Sequence, residues 1–260
     1  MNSTLIDSPA LATELDHARR TRRAMAPAPD LAAISLREAY DVQDALVARR
    51  ESMGALRSGW KLGLTSRIKQ RSMGVGHPLF GRLFADDAVT SSRGVLTAAF
   101  IAPRAEPELA FGLSGPLDPG ADVELLMAAI AWVAPALEIT DSRYVQGKRT
   151  AVELVADNSS SAAYVIGGKV RLDAAPRLDA IGTQLIRNGS VISAGTTADV
   201  LGDPFNALRR LAEHLAERGL QTADGDVVLS GAITDAFPAT PGDRFVARLR
   251  GLGTATVQFV

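Results

Sequence analysis

The chain contains no cysteine. Disulfides, thiolate nucleophiles and thiolate-bound zinc are therefore excluded, and any metal must be held by oxygen or nitrogen ligands. Histidine is scarce as well: His17, His77 and His214 do not form a metal-ligating spacing, and His214 falls on the polar side of its helix, where solvation is expected. Nor is there a surplus of one charge, since 28 Lys and Arg face 29 Asp and Glu for a formal net charge of −1. Without excess cations, nonspecific binding to nucleic acid has no electrostatic basis. The longest apolar run, residues 125–137, is 13 residues long and contains Pro135, too short for a bilayer. It reads as a buried helix running into a strand. No Ser-His-Asp order, P-loop or GxGxxG fingerprint is present, which removes the usual routes to nucleophilic catalysis and nucleotide binding. The basic cluster Arg19, Arg20, Arg22 and Arg23 follows Asp7, Glu14 and Asp16 without an apolar signal core. A cytoplasmic protein without membrane association is expected, in which the sequons at Asn158 and Asn188 have no meaning for glycosylation.

What is present is 260 residues, 47% of them hydrophobic, enough for a sizeable core. Ser8 and Pro9 open an amphipathic stretch that runs to about Met25, and the Pro-rich segment after it is a break. Ser35 with Glu38 is a capping box before a helix with Ala39, Val42 and Leu46 on one face, ending near Gly54. From Gly59 the texture changes to short strands punctuated by Gly, Pro and Asp. Asn188-Gly189 marks a type I′ hairpin, Asp203-Pro204 starts a helix with Leu208, Leu211 and Leu215 inward, and Pro241-Gly242-Asp243 is a turn between late strands. Strands dominate without regular βαβ alternation. The expected class is α+β, with residues 1–58 as an N-terminal helical region and 59–260 as a β-rich catalytic body, together one functional unit.

Chemistry concentrates in Ala105-Glu106-Pro107-Glu108-Leu109. On a strand, Glu106 and Glu108 share a face, so two carboxylates are forced together. Glu138 lies in Ala136-Leu137-Glu138-Ile139-Thr140, where apolar neighbours indicate a buried strand. Like charges at this spacing, and a buried glutamate, need a cation or a hydrogen-bond network. Three carboxylates without His or Cys suit a hard ion, Mg²⁺ or Mn²⁺. The alternative reading puts Glu106 and Glu108 on a solvated face and pairs Glu138 with a buried arginine. Lys61, in Gly59-Trp60-Lys61-Leu62-Gly63-Leu64-Thr65-Ser66, is one of only four lysines. It is either a snorkelling surface residue or a desolvated cation facing a cavity. Asp157-Asn158-Ser159-Ser160-Ser161 is either a plain turn or a source of donors for a ligand carboxylate.

Together with Met73-Gly74-Val75, Phe84-Ala85-Asp86, residues 104–111, 135–143 and 155–160, Gly167-Gly168 and Pro241-Gly242-Asp243, these segments resemble one family. It is the hydratase and decarboxylase family of aromatic meta-cleavage pathways, within the fumarylacetoacetate hydrolase superfamily. The resemblance implies a β-rich mixed roll, a homo-oligomer that associates with a related hydratase, and one Mg²⁺ or Mn²⁺ held by Glu106, Glu108 and Glu138. It places the active-site lysine at Lys61 and substrate contacts at Leu62, Leu79, Arg143 and Ser160. The implied substrate is a small 2-oxo acid that chelates the metal through C1 and C2 oxygens. Hydratases of this kind carry an acid before Phe-Gly or Tyr-Gly, whereas this chain reads Pro78-Leu79-Phe80-Gly81. With Asp141-Ser142-Arg143-Tyr144 and Gly231-Ala232-Ile233-Thr234, that favours decarboxylation of 2-oxo-3-hexenedioate over hydration of 2-hydroxypenta-2,4-dienoate. C–C bond hydrolysis and non-catalytic binding of a metal or 2-oxo acid are the further alternatives.

Overall fold

Helix α1 (Ser8–Thr21) starts behind Asp7, whose carboxylate accepts from the Ala10 N–H, and stops where Arg22 turns left-handed. It is thus a turn shorter than the sequence pattern indicates. Helix α2 (Leu36–Ser52) opens on the reciprocal Ser35–Glu38 capping box and buries Ala39, Val42 and Leu46. This is a computed structural model, and it describes residues 6–90 and 94–260. After the two helices come β1 (Arg57–Gly63), α3 (Arg67–Ser72), β2 (Leu79–Phe84), β3 (Arg104–Leu113), α4 (Val123–Ala128) and β4 (Ile130–Thr140). Next are α5 (Ala151–Ala156), β5 (Ser161–Ile166), β6 (Val170–Arg171), β7 (Gly182–Arg187), β8 (Ser190–Thr196) and α6 (Pro204–Glu217). The chain closes with β9 (Val227–Leu229), β10 (Phe237–Pro238), β11 (Arg244–Leu249) and β12 (Gly253–Gln258). The fold is mixed helix and sheet, and helices take a share comparable to strands rather than a minor one.

The larger sheet has the order β2-β1-β9-β3-β4-β5, with β10 on β3 and β6 on β4; the smaller has β12-β11-β7-β8. Among the described strands every pairing is antiparallel except β1 with β9. Asn188 and Gly189 join β7 to β8 with φ of 51° and 87°, the positive pair that a type I′ turn needs. One face of β3 and β4, carrying Leu109, Phe111, Val133 and Leu137, packs into a core shared with Phe245 and Val257 of the small sheet. The same cluster takes in Leu11, Leu15 and Leu46 of the N-terminal helices, so these join the main core rather than forming one of their own. The opposite face of β3 and β4 is left for the glutamates.

Two expectations are corrected here. The apolar run at residues 125–137 is a helix followed by a strand, but α4 is a surface helix: Leu125 is 59% and Met127 42% exposed. Burial belongs to β4, which is flanked on both edges by β3 and β5. His214 is not solvated. Its ring stacks on Phe80 at 4.2 Å between centroids and lies 4.6 Å from Tyr40, and burial, with Arg218 nearby, pushes its pKa down to about 3. Among the described residues, no helix is long and apolar enough to cross a membrane.

Candidate active site

Register brings the acids together. Glu106 on β3 is directly opposite Glu138 on β4, and Glu108 follows two residues along on the same face. The carboxylates offer oxygens that lie within 4.8 Å of one another. Glu108 and Glu138 are fully buried, and Glu106 is partly open. Neither Glu108 Oε1 nor Glu138 Oε1 has a hydrogen-bond partner. Burial raises both carboxyls, Glu138 to about 7, and the neighbouring acids add to the rise while Lys61 opposes it. Orphaned buried oxygens on three converging carboxylates are a donor set that fits a hard divalent cation.

Lys61 reaches the same site from β1. Its neighbours across the sheet are Leu229 on β9 and Gly81 on β2, which puts it on the glutamate face. Nζ pairs with Glu138 Oε2 at 2.9 Å and donates to the Ser159 carbonyl at 3.0 Å. Burial alone would lower the ammonium, but Glu138, Glu106 and Glu108 outweigh it and hold Lys61 above its ordinary value. The lysine is therefore a desolvated, protonated cation and not a snorkelling one. Gly81 makes room for it: a Cβ there would stand 3.1 Å from Lys61 Cδ and 2.7 Å from the Asn158 carbonyl.

The cluster after α5 is more than a plain turn. Asn158, Ser159 and Ser160 take φ of 50°, 50° and 57° in succession, a left-handed run that costs about 1 kcal/mol or more per residue. Asn158 secures it by exchanging hydrogen bonds with the Arg82 backbone, 2.7 Å and 3.0 Å. The strained backbone presents the Ser159 carbonyl to Lys61 and Ser160 to a cavity of about 220 Å³. Lys61, Glu106, Leu79, Leu154, Ser160, Arg104 and Lys69 all line that cavity.

Of the substrate contacts expected from sequence, Leu79 and Ser160 line the cavity, while two others lie elsewhere. Leu62 alternates with Lys61 along β1 and turns its side chain into the core. Arg143 is buried and fully occupied: its guanidinium binds the Asp157 carboxylate and donates to the carbonyls of Asp141 and Ser161, both at 2.9 Å. Its bonds brace the strained turn from behind. Sequence reasoning missed the Gly231 N–H, which donates to Glu108 Oε2 at 2.8 Å. Gly231 has φ of 98°, and a Cβ would meet Thr65 at 2.5 Å, so only glycine brings its amide there. It also missed Arg104 and Lys69, although the rarity of lysine was a usable signal for the latter.

A curled sheet whose one face carries three converging carboxylates beside a buried lysine has the donor set of a divalent-cation site. The chain belongs to the fumarylacetoacetate hydrolase C-terminal family, whose model matches residues 75–260. It is 37% identical over 224 residues to the 4-oxalocrotonate decarboxylase of Pseudomonas sp. (strain CF600), covering 86% of this chain and 85% of that one. It is 36% identical over 252 residues to the 2-hydroxyhexa-2,4-dienoate hydratase of Comamonas testosteroni, covering 94% of each. The structure of 4-oxalocrotonate decarboxylase from Pseudomonas putida G7, complexed with magnesium and adipate, superposes with a TM-score of 0.92 at 34% identity over 97% of both chains.

Proposed function

We propose that this protein is a divalent-metal-dependent lyase that decarboxylates 2-oxo-3-hexenedioate (4-oxalocrotonate). Glu106, Glu108 and Glu138 are the residues that would hold Mg²⁺ or Mn²⁺, and the ion, when bound, supplies a Lewis-acidic positive charge beside the 2-oxo acid. Support for the metal comes from the orphaned carboxylate oxygens of the triad and from the magnesium in the Pseudomonas putida G7 relative.

The single observation that carries decarboxylation is the composition of the cavity wall. Beyond Glu106 it holds no further carboxylate and no imidazole: Leu79, Leu154, Ala232 and Ala236 stand beside the cations Lys61, Lys69 and Arg104 and the hydroxyl residues Thr65, Ser66, Thr140 and Ser160. Hydration of a dienoate needs, besides proton transfer at carbon, a base to activate water, and beyond the triad this wall offers no carboxylate or imidazole for it. Loss of CO₂ needs less. The C5–C6 bond breaks, its electrons move through the conjugated chain to the C2 oxygen, and one proton completes the enol. Lys61, kept protonated by the glutamates, is placed to hold that proton and to stabilise the developing charge. Leu79 and Leu154 line the cavity beside the conjugated chain and exclude water from the enolate charge that develops along it. Ser160, held on its strained turn, orients the substrate through its hydroxyl.

The test is to incubate purified protein and Mg²⁺ with 2-oxo-3-hexenedioate and, separately, with 2-hydroxypenta-2,4-dienoate, assaying CO₂ and the 4-hydroxy-2-oxo product. Release of CO₂ from the first with little turnover of the second is expected. Efficient hydration without CO₂ release would overturn the reading in favour of the hydratase, which the similarity to the Comamonas enzyme supports.

A further inference from the structure

Along the cavity face of β3 the side chains run Arg104, Glu106, Glu108, because residues two apart share a face. One such step spans about 6.6 Å of strand. An extended six-carbon diacid has about 6 Å between its terminal carbons by ordinary C–C geometry. A substrate lying along β3 with its first carboxylate near Glu106 reaches the level of Arg104 with its second.

Arg104 is available for it. Among the described residues it has no carboxylate within ion-pair distance; its Nη2 donates only to the Ala236 carbonyl, at 2.6 Å. Lys69 on α3, also on the cavity, pairs with Asp235 at 2.9 Å, with side chains 47% and 77% exposed. Two cations from two elements thus hold adjacent residues of one loop, and the same loop supplies the Gly231 N–H to Glu108. These bonds are weak ones to exchange. A neutral carbonyl is a poorer partner for a guanidinium than a carboxylate, which binds it bidentately, and an exposed Lys–Asp pair contributes little.

We propose that Arg104, assisted by Lys69, reads the second carboxylate of a diacid substrate, taking it in exchange for the bonds to residues 235 and 236. This rests on the reading that the first carboxylate and 2-oxo group sit at the glutamate triad. Diacids are then separated from monoacids by charge at the mouth of the cavity and not by its shape, and the loop at 231–236 shifts as the second carboxylate arrives.

The test compares two non-reacting ligands of equal length, 2-oxohexanedioate and 2-oxohexanoate, by calorimetry on Mn²⁺-loaded protein. The native protein is expected to prefer the diacid by about a hundredfold, the scale of one charge-assisted contact. Arg104→Met is expected to reduce that preference to within about threefold while leaving Mn²⁺ stoichiometry and monoacid affinity in place. Arg104→Lys should keep an intermediate preference, and Lys69→Met should lose a smaller part. Arg104 is exposed, so these variants are not expected to lose their fold, and Mn²⁺ binding reports it. Equal affinity of native protein for the two ligands, or a diacid preference that survives in Arg104→Met, overturns the proposal and leaves the triad reading intact. If neither ligand binds the Mn²⁺-loaded native protein, the triad reading fails and the proposal with it.

Discussion

Lys61 and Glu138 define each other's charge. The ammonium stays protonated because three acids surround it, and the carboxyl is raised to about 7 because it is buried beside other acids. Replacing Lys61 with methionine is expected to keep Mn²⁺ binding nearly intact and to lower kcat at least about a hundredfold. Near-normal turnover would remove Lys61 from the chemistry. The raised carboxyls also make metal binding depend on pH, since ligating oxygens must lose their protons. Mn²⁺ affinity is expected to fall by at least about tenfold for each pH unit below 7, with proton release on binding visible in buffers of different ionisation enthalpy. These carboxyls also make folding stability depend on pH. A carboxyl raised in the folded state binds protons more tightly there than when unfolded, so its contribution is present at low pH and is lost as pH rises through about 7. The metal-free protein should accordingly lose melting temperature between pH 5 and 8 from this site, and added Mn²⁺ should raise it more at pH 8 than at pH 5. A site contribution of opposite slope would show that the glutamates are ionised without metal.

At the scale of elements, β2 sets the shape of the cavity. Leu79, at its start, faces the same side as Lys61 because Gly63 and Leu79 are register partners and Lys61 pairs with Gly81. Gln43 of α2 fixes this end by donating to the Phe80 and Val155 carbonyls, both at 2.9 Å, so the N-terminal helix reaches to within one residue of the cavity wall. Gly81→Ala is expected to cost about 1–3 kcal/mol by overpacking and to displace Lys61 along with the strained turn. Chemical denaturation together with kcat measures both, and an unchanged kcat would show that the lysine tolerates the shift. Leu79→Asp places a carboxylate where the wall is apolar. It should depress decarboxylation by at least about tenfold, through repulsion of the distal carboxylate and admission of water, and a variant with undiminished CO₂ release would remove Leu79 from the account of specificity.

For the molecule as a whole, the N-terminal helices and the body share one core, with Leu11 and Leu15 in the same cluster as Leu109 and Phe245. We propose that residues 1–58 and 59–260 form one functional unit, so removal of the first 58 residues should leave an aggregating or molten product rather than a slower enzyme. We further propose a homo-oligomer. Val123 and Met127, four residues apart on one side of α4, are exposed, as is Leu125 on another side, while Leu126 is the one buried residue of this helix. A native mass that is a multiple of 27.3 kDa, measured by light scattering, is the expected result, and a monomer at micromolar concentration would rule it out.

Local chemistry alone determined much of this protein. The Ser35–Glu38 box, the Asn188-Gly189 hairpin and the Asp203-Pro204 helix start are contacts within a few residues, so their outcome is written in their own spacing. The two-residue alternation that puts Glu106 and Glu108 on one face is of the same kind. The rest depended on partners far apart in the chain. Opposing Glu138 to Glu106 is a matter of strand register, which spacing cannot state, and the fate of Leu62 and Arg143 turned on which face of β1 meets the core and on where Asp157 lies. His214 looked polar on its own helix and became an aromatic stacking partner only because Phe80 and Tyr40 cover it. The Gly231 amide and the Arg104–Ala236 bond join residues more than a hundred positions from their partners, and such contacts exist only once the sheet has brought those backbones together.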